Sequence, residues 1–216
     1  MFSEIKNKIR QYGLTRSMIR LLKLILRKLG FTYEQYLFCT LQLEKNKLVI
    51  KKKPSIDIEV KELSLDDFRN SKGIIFNEKK LNLIKDRFKK KTYVPLGCFY
   101  KSKLIYIAWI SLKDFTMSYP CAEDIYALKD DEGLLLDIYC HPAYRRLGLA
   151  SFMNTVSLRK MYEFEKRNAV VVLLKENIPA RRSQAKVGFK CKKLVICVKI
   201  FEFSFSKIIE KRISLA

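Results

Sequence analysis

The segment that most constrains the fold is residues 134–150, LLLDIYCHPAYRRLGLA, whose pattern predicts a buried strand, a proline-containing turn and the start of a helix. Backbone N–H groups in the first turn of a helix have no intrahelical acceptor, and the helix dipole is positive there. Gly148 carries no Cβ, so a ligand can approach the chain closely. The segment therefore predicts a binding site for a pyrophosphate, with Arg145 and Arg146 as charge-assisted partners.

Strand and helix patterns alternate along the chain beyond residue 54, with no internal repeat. Apolar runs predict strands, and apolar residues three and four positions apart predict helices. Residues 101–103 separate two strand patterns and predict a hairpin turn, and Ser64 followed by acidic residues predicts a helix start. The predicted strands are 56–65, 94–100, 104–112, 134–140, 169–174 and 189–203, and the predicted helices are 79–90, 148–166 and a short one near 179.

A second motif follows the first after one predicted helix and one predicted strand. The pattern N-x-x-A at residues 177–180 leads into K-x-G-F at residues 186–189. Together with R-x-x-G-x-A at residues 145–150, this order and spacing resemble the GNAT superfamily of N-acyltransferases. The resemblance covers residues 134–189, extends in weaker form back to residue 58, and is absent before residue 54.

The resemblance implies an α/β fold of the GNAT type, a mixed central sheet flanked by helices, which residues 55–216 are predicted to form. Residues 1–54 are predicted to form a basic N-terminal extension, because residues 1–30 carry eight Lys and Arg against one Glu. Apolar residues at helical spacing predict an amphipathic helix there. They are Met18, Leu21, Leu22, Ile25, Leu26 and Leu29. Two interpretations of this helix are open: a tether on an anionic membrane surface, or a helix packed on the domain.

By the same resemblance, the protein is an acetyl-CoA-dependent N-acetyltransferase that moves the acetyl group directly to an amine in a ternary complex. The strands ending at Cys140 and Leu174 would splay apart and leave backbone groups free for the pantetheine arm and the thioester. Arg181 or Arg182 would contact the adenosine 3′-phosphate. The cofactor-binding residues that this implies are Ile138, Cys140, Arg145, Arg146, Leu147, Gly148, Leu149, Ala150, Asn177 and Arg181. Asn177 also has an ordinary interpretation as a helix N-cap.

Asp137 is the candidate general base, since many superfamily members carry an acid at this place in the strand. Strand alternation predicts Leu136, Ile138 and Cys140 on one face, with Asp137 and Tyr139 on the other. A carboxylate there could accept the amine proton directly or through a water. The alternative interpretation is a hydrogen-bonded structural acid. The sole histidine, His141, precedes a proline and is predicted to lie in an exposed turn.

Gln184 departs from the superfamily pattern, because a tyrosine often stands two residues before the lysine of the second motif. Glutamine cannot protonate the departing CoA thiolate. Tyr139 is the nearby candidate for that role, whereas Tyr144 is expected to pack beside the loop. A thiolate also leaves readily near its pKa of about 8.5, so protonation by solvent is tolerable. A non-catalytic acyl-CoA-binding protein therefore stays open as an alternative.

The formal charge of +22 predicts anionic partners but does not choose among nucleic acid, lipid and phosphorylated substrates. No nucleic-acid-binding motif is present, which makes nucleic acid the weaker candidate. Six scattered cysteines without a C-x-x-C pair predict reduced thiols, no metal site and a cytoplasmic location, with peripheral contact at the inner membrane surface left open. No apolar run approaches the length of a membrane span.

The acceptor amine is not identified by the sequence. Acidic residues between two predicted strands favour a cationic amine: Asp114, Glu123, Asp124, Asp130 and Asp131. The overall positive charge instead favours a phosphorylated acceptor, such as a nucleotide-linked or lipid-linked amino sugar.

Overall fold

The computed structural model describes residues 14–50, 53–115 and 126–215. The chain divides into two compact units. The central unit comprises residues 41–115 and 128–171, and the terminal unit comprises residues 1–40, 116–127 and 172–216.

The order of elements is α/β throughout. The elements are α1 (Leu14–Lys28), β1 (Phe31–Gln42), β2 (Glu59–Glu62), α2 (Leu65–Arg69), α3 (Glu78–Lys90), β3 (Tyr93–Tyr100), β4 (Lys103–Ser111), β5 (Glu132–Cys140), α4 (Leu149–Glu163), β6 (Asn168–Leu174), α5 (Ile178–Val187), β7 (Lys190–Ile200) and β8 (Phe203–Ile213). Short 3-10 turns lie at Lys45–Lys47 and Pro142–Tyr144.

In the central unit, strands β2, β3, β4 and β5 are neighbours in that order, and each adjacent pair is antiparallel. The first residues of β6 pair with β5 in parallel. A parallel pair needs a crossover connection, and α4 provides it. The sheet is therefore mixed, as predicted, and it is flanked by helices.

Two local predictions in the central unit are confirmed. Ser64 caps α2 in a capping box with Asp67, so each accepts a hydrogen bond from the backbone N–H of the other. Tyr100 pairs with Lys103, and the two residues between them both have positive φ, which is the usual geometry of a two-residue hairpin loop.

The apolar core of the central unit is packed between α2, α3 and the sheet. The Trp109 indole is fully buried, and its ring stacks on Phe68 with the ring centroids 5.5 Å apart. Ile84 of α3 is also fully buried in this cluster. This packing fixes α3 against β4, which becomes important at the candidate site.

In the terminal unit, β1 pairs on one edge with the last residues of β6 and on its other edge with β7. Strand β8 pairs with the far edge of β7. The β1–β7 pair is antiparallel and runs from Phe31↔Ile200 to Thr40↔Lys190. Helix α1 precedes β1 through Gly30, whose φ of 85° ends the helix as predicted. None of the helices in the described residues combines the length and apolarity needed to cross a bilayer.

The predicted separate extension of residues 1–54 is not confirmed. Strand β1 is an interior strand of the terminal unit, and residues 41–54 belong to the central unit. Sequence patterns near the N-terminus could not reveal this, because the pairing partner of β1 lies about 160 residues away in the chain.

The expectation of reduced thiols also differs from the structure. Cys39 and Cys191 form a disulfide between directly opposed positions of β1 and β7. Side chains at directly opposed positions have Cβ atoms close enough to interact, although the two cysteines are 152 residues apart in sequence. Among the described residues, Cys98 and Cys140 are free thiols.

We expect Gly73→Ala to destabilise the protein by about 1–3 kcal/mol, because overpacking forces backbone shifts. An added Cβ would overlap the backbone carbonyl oxygen of Leu104, which also accepts the N–H of Ile74. Chemical denaturation would measure the change. Gly133→Ala is the control, since its Cβ would meet only flexible side chains, Met161 at 3.3 Å and Lys166 at 3.4 Å. Equal stability of the two variants would contradict the close approach at Gly73.

Candidate active site

The candidate site is organised by a bulge in β5. Ile107 and Trp109 are two residues apart on β4, but their partners Tyr139 and Leu136 are three residues apart on β5. The extra residue makes a β-bulge, and Asp137 within it has a φ of 46°, which non-glycine residues rarely adopt. Leu136 and Tyr139 therefore share a face. The predicted alternation, which placed them on opposite faces, is wrong because the bulge shifts the pattern by one residue.

The bulge lies next to the point where β5 stops pairing with β6. The parallel ladder runs from Glu132↔Asn168 to Leu135↔Val171. Beyond Leu135, β5 continues to Cys140 with its other edge still paired to β4. Within the described part of the central unit, the edge of β5 beyond Leu135 has no ladder partner.

Backbone directions at the end of β5 follow from one hydrogen bond. The His141 N–H donates to the Ile105 carbonyl of the preceding hairpin at 2.8 Å. Successive residues of a strand direct their N–H and C=O groups to opposite edges, so the N–H and C=O of Cys140 point away from β4. The Cys140 carbonyl accepts a hydrogen bond from Arg145 Nε at 3.2 Å. The predicted cofactor contacts of Ile138 and Cys140 stay predictions.

The Asp137 carboxylate is held by two cations of α3. Its Oδ2 atom accepts hydrogen bonds from Lys80 Nζ and Arg87 Nη1, both at 2.7 Å. Lys80 and Arg87 are seven residues apart, about two helical turns, so they lie on the same face of α3. The bulge of β5 is thereby tied to the helix.

Arg87 is the more buried partner, with only 6% of its side chain exposed. Its guanidinium lies 5.0 Å from the ring centroid of Trp109 and 5.5 Å from that of Tyr93. A buried cation needs a charged or hydrogen-bonding partner, and Asp137 provides it. The interpretation of Asp137 as a hydrogen-bonded structural acid is therefore confirmed, while its role as a base stays a prediction.

Two opposing effects set the pKa of Asp137. Burial by itself raises the pKa of this carboxyl, but the charges and hydrogen bonds of Lys80 and Arg87 lower it further than burial raises it. The net pKa lies below the ordinary value. Asp137 is consequently ionised at neutral pH and is a weak proton acceptor there.

The turn after β5 is stabilised by local contacts. His141 Nδ1 accepts the N–H of Ala143 at 3.3 Å, which caps the 3-10 turn. The Tyr144 ring contacts the rings of Tyr100 and His141, with centroids 5.7 and 5.4 Å away. Tyr144 therefore packs beside the loop, as predicted.

The loop of residues 145–148, predicted to bind a pyrophosphate, contains two left-handed residues. Arg146 and Gly148 both have positive φ, 68° and 83°, with Leu147 between them. Gly148 is the N-cap of α4, which has no capping side chain and no acid in its first turn. The first intrahelical bond of α4 runs from the Phe152 N–H to the Gly148 carbonyl, so the preceding N–H groups have no intrahelical acceptor.

The Cys140 thiol lies between the bulge and this loop. Burial raises the pKa of Cys140 to about 11, and the nearby Arg145 charge offsets only part of that rise. At neutral pH the thiol is protonated, and the nucleophilic thiolate is scarce.

Three predicted residues lie in the terminal unit. Asn177 caps α5, since its Oδ1 accepts the Ala180 N–H at 3.4 Å. The Arg181 guanidinium donates to the carbonyls of Lys175 and Ser214, both at 3.0 Å. Gln184 is buried in α5. The CoA contacts of Asn177 and Arg181 stay predictions.

The acidic residues expected to form an acceptor wall are only partly described. Glu123 and Asp124 lie outside the described residues. Asp114 accepts a hydrogen bond from the Thr92 hydroxyl at 2.6 Å, and Asp131 accepts one from Asn168 Nδ2 at 2.7 Å. The acceptor wall stays a prediction.

Sequence reasoning missed Lys80 and Arg87. Their spacing of seven residues on a predicted helix was a usable signal, because it places two cations on one face. What the spacing could not show is that this face meets Asp137, which is 50 residues beyond Arg87 in the chain.

No protein-family model and no curated protein matches the chain. Solved structures do match. A GCN5-related N-acetyltransferase from Kribbella flavida is 10% identical, with 82% of this chain and 62% of that chain covered and a TM-score of 0.51. A GNAT-family acetyltransferase from Colwellia psychrerythraea is 16% identical, with 80% and 58% covered and a TM-score of 0.51. A conserved protein of unknown function from Staphylococcus epidermidis is 13% identical, with 88% and 66% covered and a TM-score of 0.52.

The chain therefore has the GNAT fold, which confirms the predicted resemblance at the level of fold. It spans between 58% and 66% of the length of these three structures.

We expect Asp137→Asn to lower the free energy of unfolding by about 3 kcal/mol at neutral pH, because it leaves the buried Arg87 without its counter-charge. A pKa below the ordinary value means that the folded state gains stability from the carboxylate at neutral pH. That gain is lost as the pH falls through the folded-state pKa, which lies below the ordinary value of an aspartate. Denaturation measured at several pH values checks both points.

The control for this variant is Asp86→Asn, which removes an exposed ion pair to Lys89 on the same helix and should change stability little. A stability difference between wild type and Asp137→Asn that stayed constant down to the lowest pH would show that the carboxylate is not its source.

Proposed function

We propose that the protein transfers an acetyl group from acetyl-CoA to an amine acceptor. The observation that carries this proposal is the loop of residues 145–148. Its two left-handed residues and the acid-free start of α4 present backbone N–H groups where a pyrophosphate would bind. Arg145 and Arg146 supply positive charge beside them. The GNAT fold of the chain supports the same assignment.

In this proposal, the pantetheine arm and the thioester bind along the edge of β5 that has no ladder partner. The peptide groups of Cys140 point to that edge, and those of Ile138 are the second candidate. Hydrogen bonding to strand backbone would orient the thioester without any charged side chain. Leu147, Leu149 and Ala150 would contribute backbone groups to the pyrophosphate.

The reaction is proposed to be a direct transfer. The amine nitrogen attacks the thioester carbonyl carbon, the bond to sulfur breaks, the amine loses a proton and the CoA thiolate gains one. The protonated state of the Cys140 thiol supports this mechanism, because a thiol with a pKa of about 11 is a poor nucleophile for a covalent acetyl intermediate.

Asp137 and Tyr139 are given different roles. A carboxylate with a lowered pKa and two bound cations is a weak base, so we assign Asp137 to holding the bulge, with proton acceptance only through a water. Tyr139 follows the bulge, and its side chain is exposed. It is the proposed proton donor to the CoA thiolate, in the place of the tyrosine that Gln184 replaces.

The acceptor is proposed to be an amine on a phosphorylated molecule, such as a nucleotide-linked or lipid-linked amino sugar. The support is the formal charge of +22, which attracts anionic substrates. The alternative function, acyl-CoA binding without catalysis, predicts the same cofactor affinity and no turnover.

We expect Gly148→Glu to weaken acetyl-CoA binding by at least about tenfold, because its carboxylate would repel the pyrophosphate. Gly148→Ala is the matched control. Both variants carry the same strain from a positive φ, and an added Cβ has room, with Pro54 Cα at 3.7 Å. Isothermal titration calorimetry with acetyl-CoA measures the affinities. Equal affinities of the two variants would overturn the pyrophosphate site, and with it the proposed function.

We expect Tyr139→Phe to lower kcat by about 10²-fold or more, since general-acid catalysis contributes on that scale, while acetyl-CoA affinity stays unchanged. Tyr144→Phe is the control, because its ring packs beside the loop. The assay is CoA release with a panel of phosphorylated and unphosphorylated amines. An unchanged kcat in Tyr139→Phe would remove this residue from catalysis. Acetyl-CoA binding with no turnover for any amine would favour the non-catalytic alternative.

A further inference from the structure

Helix α1 turns its apolar side chains outward. Six apolar residues of the helix and the leucine that follows it are between 39% and 63% exposed: Met18, Leu21, Leu22, Leu24, Ile25, Leu26 and Leu29. Surface helices of globular proteins ordinarily bury such a stripe. Packing on the domain would bury this apolar stripe, and contact with water alone does not favour its exposure.

The polar face of α1 is the one that packs on the terminal unit. Lys23 Nζ donates to Glu34 Oε2 at 3.1 Å and to Glu176 Oε1 at 3.0 Å. Arg27 Nη2 donates to Glu34 Oε1 at 2.8 Å. Glu34 is buried, so these ion pairs fix the orientation of the helix. The outward direction of the apolar stripe is therefore determined by specific contacts.

A second exposed apolar surface lies on one face of the β1–β7–β8 sheet. The pairing register places six side chains in two rows on this face: Phe31, Ile200 and Phe203, then Tyr33, Val198 and Phe205. Five of the six are between 39% and 71% exposed, Val198 being the exception. Side chains at directly opposed positions are neighbours, so the rows form one continuous aromatic face.

The aromatic face adjoins the end of α1. The Phe201 N–H donates to the Gly30 carbonyl at 2.7 Å, and the Phe201 ring lies 5.4 Å from that of Phe31. Phe201 is itself 60% exposed. The end of α1 and the aromatic face thus meet at Gly30.

Positive charge accompanies this surface. The described residues of the terminal unit include 16 Lys and Arg against four Asp and Glu, a formal charge of +12. A pocket of about 300 Å³ opens beside Tyr33, lined by Lys23, Gln35, Lys175, Glu176, Ile178 and Arg181. Three cations and one acid in its lining favour an anion.

We propose that the terminal unit docks on an anionic phospholipid membrane. The outward face of α1 and the aromatic face contact the boundary between headgroups and acyl chains, and the cations beside Tyr33 contact lipid phosphates. Aromatic side chains favour this boundary, because one end is apolar and the other is wet. The proposal does not depend on acetyl transfer.

A second copy of the chain fits this surface less well. Apposing two terminal units would bring two charges of +12 together, and like charges at an interface oppose association. An anionic lipid surface neutralises the same charge. Charge complementarity therefore selects lipid over self-association.

The test is co-sedimentation of the full chain with vesicles of phosphatidylcholine alone and of phosphatidylcholine mixed with phosphatidylserine. We expect binding to the mixed vesicles, with at least about tenfold weaker binding to phosphatidylcholine or in 1 M salt, where the Debye length is about 3 Å. Equal binding to both vesicle types, or none to either, would overturn the proposal. This comparison uses the wild-type protein and needs no variant to fold.

Variants locate the surface. Phe203→Ser and Phe205→Ser should each weaken binding about tenfold, in keeping with the loss of one buried aromatic side chain. Ile75→Ser is the control, because Ile75 is 88% exposed in the central unit. Lys175→Glu should weaken binding, whereas Lys72→Glu, also exposed but in the central unit, should not.

Three further outcomes would overturn the proposal. Equal loss of binding in the Ile75→Ser control would show that the terminal unit has no special role. A lipid-free dimer, detected by analytical ultracentrifugation and abolished by Phe203→Ser, would assign the surface to a second copy. At constant ionic strength, competition by inorganic phosphate that fully displaced the protein from vesicles would assign the pocket to a free phosphate.

Discussion

The ion pair between Arg87 and Asp137 is the interaction on which the geometry of the central unit depends. Arg87 is buried against Trp109 and Tyr93, so its charge must be matched, and the carboxylate that matches it lies in a bulge of β5. Beyond the bulge, the side chains of β5 face the opposite side of the sheet from the one that strict alternation would give them. The bulge lies next to the end of the β5–β6 ladder. The end of β5 determines where the loop of residues 145–148 begins. The buried charge of Arg87 thereby links the position of α3 to that of the proposed cofactor loop.

The sequence predicted the strand, turn and helix of residues 134–150 well, because each rests on local chemistry. Pro142 breaks the strand, Gly148 begins the helix, and apolar runs flank them. The bulge was not predictable in the same way. Bulged residues with positive φ are often glycine, whereas Asp137 is held there by cations 50 and 57 residues earlier in the chain. Strand alternation therefore failed just where a long-range contact overrides it.

The N-terminal segment shows a related limit. Its basic amphipathic pattern correctly predicted α1 and the end of the helix at Gly30. Nothing local indicated that the polar face would pack inward, because the acids that hold it are Glu34 and the distant Glu176. Likewise, β1 could be recognised as extended, but its place between β6 and β7 depends on partners at the other end of the chain. Hydrophobic patterning identifies faces and leaves open which face is buried.

The disulfide between Cys39 and Cys191 changes the covalent topology of the molecule. It closes a ring that contains every residue from 39 to 191, and all of the central unit lies within those bounds. A single proteolytic cut anywhere in that ring leaves one covalent molecule, heavier only by the water added in the hydrolysis, with both halves still attached to the β1–β7 pair. Only reduction would release the fragments. That the two fragments stay joined after one cleavage is thus a property of the covalent connectivity, independent of how strongly β1 and β7 pair.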